Sequence, residues 1–146
     1  MSTGVAVFDT TIQESIQWLK LIEDRLKPCD RHQAYAALRA VLHVLRDRLP
    51  MDAVLGLSAQ LPMLLRGVYL EGWRPSEGPT GIHDVGALAQ AVAARLPPGF
   101  PRQGNEAAEA VFAAMSARLD PGEVAKLVRH LPLGLRRLFP VEHRAA

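Results

Sequence analysis

Apolar residues return along this chain at helical spacing, and the series they form is used twice. Ile12, Ile16, Leu19, Ile22 and Leu26 recur every three or four positions, which predicts a helix from about Thr10 to Leu26 with one buried face. Pro28 ends it, since a proline disfavours helical geometry in the residue before it. A second helix is predicted from about Arg31 to Leu49, with a stripe of Leu38, Val41, Leu42, Leu45 and Leu49. A short third helix turns Val54, Leu57 and Leu61 inward. Pro62 then opens a short fourth helix that carries Leu65, Val68 and Tyr69. From about Ile82 the order starts again. Ile82, Val85, Leu88, Val92 and Leu96 give a helix over roughly 82–96, stopped by Pro97-Pro98-Gly99. Ala108, Val111, Phe112, Met115 and Leu119 follow, then Val124, Leu127 and Leu131, and finally Leu135, Leu138 and Phe139 behind Pro132. Asp120, Pro121 and Glu123 stand as N-cap, first and third residue of the seventh helix, a start that satisfies free N–H groups and favours negative charge.

The recurrence extends to residue identity. Shifting the chain by 70 lays residues 12–69 on 82–139 without a gap, and 16 of the 58 pairs are identical, among them Arg25/Arg95, Arg48/Arg118, Leu61-Pro62/Leu131-Pro132 and Leu65-Arg66/Leu135-Arg136. Such self-similarity marks a duplicated unit. The fold class it predicts is all-α: a tandem duplication of a three- to four-helix unit packed with approximate internal two-fold symmetry. Repeats of about 9–72 and 79–140 should form one domain over residues 1–146, joined by a linker rich in Gly and Pro, LEGWRPSEGPTG at 70–81. A unit of about 60 residues is marginal alone, so the two should share a core. Tails 1–8 and 141–146 should be loose. Residues kept in both copies serve the scaffold; a functional site belongs where the copies differ or meet.

Composition adds exclusions. Hydrophobic residues make up 49% but aromatics only 5%, so the core must be built from Ala, Leu and Val. Seventeen basic and fifteen acidic residues give a formal charge of +2, too little for a general nucleic-acid or membrane field. Cys29 is the only cysteine, which excludes an internal disulfide and a cysteine zinc site. MSTGVAVFDT lacks the pattern of a signal peptide, and no apolar run reaches 18 residues, so a cytoplasmic protein with no membrane partner is expected.

Candidate chemistry is sparse. His32, His43, His83, His130 and His143 form no metal-ligand spacing and read as polar helix-surface residues; no metal and no cofactor is expected. Cys29, beside Asp30 and His32, is the one testable nucleophile, against the plainer reading of an inert loop cysteine. No catalytic residue is assigned. The repeated arginines lie near predicted helix ends, where their charge opposes that of free carbonyls. Lys126, Arg129, Arg136 and Arg137 give the final helices a basic character that suits a weak nucleic-acid binder, though nucleic acid is not the expected partner.

The string QLPMLLRGVYLEGWRPS at 60–76, with the twice-used Leu-Pro-x-x-Leu-Arg element, resembles the bacterial domain of unknown function 2267 family over roughly Phe8 to Pro140. The resemblance implies an all-helical, duplicated cytosolic protein without an assigned activity, and it carries over no catalytic residue. The reading that results is a non-enzymatic module that binds another protein or itself. Trp73 and Arg74 are its candidate interaction residues, because repeat symmetry leaves them unexplained and Trp and Arg commonly anchor protein contacts. Trp73 plugging a groove between the halves is the plain alternative for that residue. A small-ligand site or enzyme at the repeat interface is the alternative function, and it requires a polar pocket there.

Overall fold

Helix α2 (Arg31–Arg48) begins where two side chains exchange hydrogen bonds with the backbone. The Asp30 carboxylate accepts from the Gln33 N–H at 2.8 Å, and the Gln33 side-chain oxygen accepts from the Asp30 N–H at 2.9 Å. Two donors that the first turn leaves free are thereby satisfied. The computed structural model describes residues 2–144. Among them α2 is joined by α1 (Ala6–Arg25), α3 (Met51–Gln60), α4 (Met63–Leu70), α5 (Val85–Arg95), α6 (Gly104–Arg118), α7 (Pro121–Arg129) and α8 (Leu133–Arg136), with 3₁₀ turns at Pro75–Glu77 and Val141–His143 and no strand. The fold is therefore all-α, with the helix order the sequence predicts. The start of α7 follows the predicted pattern: Asp120 accepts from the Gly122 N–H at 3.0 Å and Pro121 is the first helical residue.

Several boundaries move. The first helix starts at Ala6 rather than Thr10, with Asp9 in its first turn, where negative charge is favoured. The fifth starts at Val85 rather than Ile82, because Asp84 caps it by accepting from the Ala87 N–H at 2.8 Å. The tails are less loose than expected. Residues 6–8 belong to α1, the Val141–His143 turn packs on α7 with His143 buried, and Arg144 Nε donates to the Phe139 carbonyl at 2.7 Å. Residues 1, 145 and 146 lie outside the described residues.

The core is centred on α2 and α6, which pack on each other. Helix α1 lies on α2 and α6, α5 on α6 and α2, and α3 meets α7. Burial is continuous from Ala40 to Arg46 and from Ala110 to Met115. Over these stretches the helices are enclosed all round and not along a single stripe, although Arg31, His32 and Tyr35 of α2 and Arg118 of α6 are exposed. In α1 the buried face is Ser15, Trp18, Ile22 and Leu26, rotated from the predicted stripe so that Trp18, 1% exposed, fills the core while Ile12, Ile16 and Leu19 sit at its edge. Phe112 and Phe139 stack with ring centroids 4.2 Å apart.

Helices α5 and α6 approach most closely at Gly104, where a Cβ would run into the Ala89 carbonyl. The overlaid position in the first half is Ala34, which is buried and tolerated. Gly104→Ala is expected to lower stability by about 1–3 kcal/mol through overpacking. At an unobstructed helical site the same change raises it by roughly 0.4–1 kcal/mol. The sign of the shift in the urea midpoint is the measurement, and a rise would contradict overpacking against the Ala89 carbonyl.

Candidate functional site

A helix ends with carbonyls that no residue of its own can satisfy. At the end of α4 the missing donors come from α2. His43 Nε2 lies 2.7 Å from the Val68 oxygen, so this nitrogen carries the proton. One turn on, Arg46 Nη1 donates to the carbonyls of Tyr69 at 3.0 Å and Glu71 at 2.8 Å, and its Nε donates to the Asp47 carboxylate at 2.8 Å. The following segment is tied to the same end of α2. The Thr80 N–H donates to the Asp47 carbonyl at 2.8 Å, and Arg48 Nε donates to the Ile82 carbonyl at 2.7 Å. Held this way, residues 71–80 form a wall opposite α2.

Between this wall and α2 lies a cleft of about 550 Å³. Helix α2 contributes Arg39, His43, Arg46 and Asp47, the wall contributes Glu71, Trp73, Arg74 and Glu77, and Arg95 reaches in from α5. The charges are interlocked. Asp47 is shared between Arg46 at 2.8 Å and Arg95 at 3.2 Å, Arg39 pairs with Glu71 at 2.9 Å, and Arg74 stands 3.9 Å from Glu77. The Arg39 guanidinium holds the Glu71 carboxyl below the usual carboxylate range. Arg46 differs from the other cations because its side chain is only 4% exposed. Its Nη2, with two N–H groups, makes no bond to the chain among the described residues and is not enclosed, and Arg46 is one of the residues that line the cleft.

The sequence singled out Trp73 and Arg74, and both line this cleft. Trp73 is half-buried against the core and forms part of the wall; Arg74 is exposed. Arg39, Arg46 and Asp47 are not among the residues the sequence singles out, and His43 is there read as a polar surface histidine. A signal for them existed. In the 70-residue overlay they fall on Glu109, Ala113, Ser116 and Ala117, so the second half lacks the set entirely. His43 and His143 are buried, against the expectation of surface histidines, while His32, His83 and His130 are exposed as expected.

Cys29 is buried, and its thiol is pushed up first by desolvation and then by Glu23 and Asp30, which suits an inert cysteine. No group of three or more His, Cys, Asp or Glu that could hold a metal occurs among the described residues. Arg66 donates to the Ser58 and Leu61 carbonyls at 3.0 and 3.3 Å, and Arg136 donates to those of Leu131 and Arg129 at 3.0 and 3.2 Å. Both therefore cap the end of the preceding helix, not of their own. In the basic final helices Lys126 stands 3.5 Å from Glu123, while Arg129, Arg136 and Arg137 pair with no carboxylate among the described residues. No described helix is long and apolar enough to cross a membrane.

His43 makes the clamp sensitive to pH. Burial, and then Arg46, Arg39 and Arg95, push its imidazole below the ordinary value of 6.5, against the pull of the Val68 carbonyl. The unfolded chain therefore binds the proton more readily than the folded one. The His43 contribution is present in full above pH 6.5 and is lost as pH falls below it. His43→Gln keeps a donor for the Val68 carbonyl without titrating. Its urea midpoint is expected to change less than that of the wild type between about pH 7.5 and 5. Parallel curves would contradict this. A separate loss at lower pH belongs to Glu106, whose carboxyl is held down to about 2 by Arg102 and by the Gln103 N–H.

A family model described as "Uncharacterized conserved protein (DUF2267)" matches residues 16–138. No curated protein matches the chain.

Proposed function

We propose that this chain, which belongs to the uncharacterized conserved family DUF2267, is a non-enzymatic binding protein that recognises a small ligand in the cleft between α2 and residues 71–80. The observation that carries this reading is Arg46, a desolvated guanidinium whose two Nη2 N–H groups are left over, lining a concave space. Small-molecule sites commonly measure about 300–1,000 Å³, and the cleft falls within that range at about 550 Å³. A protein interface instead covers roughly 800 Å² of a partner's surface and needs no recess. The polar pocket that the small-ligand alternative requires is present, and for that reason we prefer it to a protein-interaction module. Trp73 and Arg74 keep their role as contact residues, now toward a small ligand.

In the same reading the scaffold is a tandem duplication with approximate two-fold symmetry. Supporting it, α1 lies on α6 as α5 lies on α2, while α2 meets its counterpart α6 and α3 meets its counterpart α7. Such reciprocity is the mark of an isologous interface. The cleft draws on α2 of the first half and on residues 71–80, with Arg95 alone from the second half.

A thermal-shift panel of small molecules of every charge type, run on the wild type and on Arg95→Ala, tests the site. Ligands that raise the melting temperature of the wild type and lose most of that effect in the variant are expected. If no molecule of any charge distinguishes the two proteins, the cleft is not a recognition site. Self-association is the second reading, favoured by Phe8, Met63 and Leu64. All three are about half exposed, and the Leu64 N–H donates to Thr11 Oγ1 at 2.9 Å, which brings α1 and α4 to one surface.

A further inference from the structure

The charges of the cleft are not symmetric across it. Four arginines line it against three carboxylates. On the side of α2 and α5, Asp47 already serves both Arg46 and Arg95. The other two carboxylates, Glu71 and Glu77, belong to the wall and are 65% and 69% exposed, so their arginine pairs are screened and weak. A cationic ligand on the α2 side would face the buried guanidinium of Arg46, where the one carboxylate, Asp47, is already shared between two arginines. An oxyanion would meet a donor whose position three hydrogen bonds already fix, so little ordering is left to oppose binding. Arg46 is the residue type suited to this, since a guanidinium presents paired, planar donors to carboxylate or phosphate oxygens.

Trp73 adds a second requirement. Its indole packs against the core on one part and lines the cleft on another, and its ring N–H has no partner among the described residues yet is not enclosed. An aromatic wall beside a charged anchor favours a ligand with a flat apolar part. Neither element is a general property of the scaffold. The overlay places Ser116 opposite Arg46, and Trp73 lies beyond its end.

We infer that the cleft selects a small organic oxyanion, a carboxylate or a phosphate, that carries a flat ring. Arg46 and Arg95 hold the oxygens and Trp73 covers the ring. This rests on the cleft being the recognition site. Calorimetry on the full chain tests it with five probes: 2-naphthoate, adenosine monophosphate, inorganic phosphate, 2-naphthylmethanol and 2-naphthylmethylamine. At least one of the first two is expected to bind ten-fold or more tightly than each of the other three; which of them does so separates carboxylate from phosphate. Because Arg46 also holds the fold, the variants are Arg95→Ala and Trp73→Leu. Each is expected to weaken that ligand at least ten-fold while circular dichroism at the titration temperature still reports a folded helical protein. Binding of the alcohol or the amine as tight as that of the anions overturns the oxyanion preference and leaves the cleft a site. Inorganic phosphate binding as tightly as the ringed anions overturns the role of the ring. If no probe binds, or the variants change nothing, the assignment fails.

Discussion

Arg46→Met is expected to lower the stability of the protein by about 3–5 kcal/mol, the range for removing one partner from a buried charged network. The methionine fills most of the space but donates nothing. The Tyr69 and Glu71 carbonyls lose their shared donor, and the Asp47 carboxylate keeps only Arg95. A buried carbonyl left unsatisfied costs roughly 1–3 kcal/mol on its own, and the Tyr69 bond lies in the interior. Arg39→Met is the control. Its pair with Glu71 is exposed, so a change within about 1 kcal/mol is expected. Urea unfolding of both variants at neutral pH is the measurement. Similar small losses in the two would show that water satisfies the end of α4 as well as Arg46 does.

Trp18→Ala is expected to cost a further large amount, about 3–5 kcal/mol, as for other enclosed tryptophans. Trp73→Ala should cost at most about 2 kcal/mol, because the indole is only half removed from water. The two rings also separate by emission. The spectrum left in Trp73→Ala comes from Trp18 and should lie to the blue, as for a ring without water around it. Equal losses of stability would mean that Trp73 closes the cleft as a plug.

These two tryptophans mark the limit of what the sequence makes legible. The helix order, the proline stops, the Asp120 start and the all-helical class follow from spacing and end signals, and the structure has them. The rotation of α1 does not follow. A stripe drawn through Ile12, Ile16 and Leu19 counts aliphatic residues and overlooks Ser15, whose hydroxyl is satisfied by the Thr11 carbonyl at 2.7 Å and can be buried. The central place of α2 and α6 is hidden for a related reason. Ala34, Ala37 and Ala40, like Ala107, Ala108 and Ala110, give no periodic contrast, yet their small size lets neighbouring helices close around them. The cleft was half legible. The sequence self-similarity leaves Trp73 and Arg74 outside the overlaid residues and so draws notice to them, but His43 and Arg46 sit inside a largely apolar stretch of α2. Their reason for being there is a set of carbonyls 25 residues away.

The crossed arrangement, with α1 on α6 and α5 on α2, has a consequence for the newborn chain. When Leu70 leaves the ribosome, α1 to α4 can assemble, but the sides of α1 and α2 that α5 and α6 will cover still face water. Arg118, the last residue of α6, lies 48 positions further on. At roughly 5–20 residues per second those sides stay bare for on the order of a few seconds. Throughout that interval the nascent protein is a sticky half-molecule, and a chaperone or a slower neighbouring chain has time to reach it.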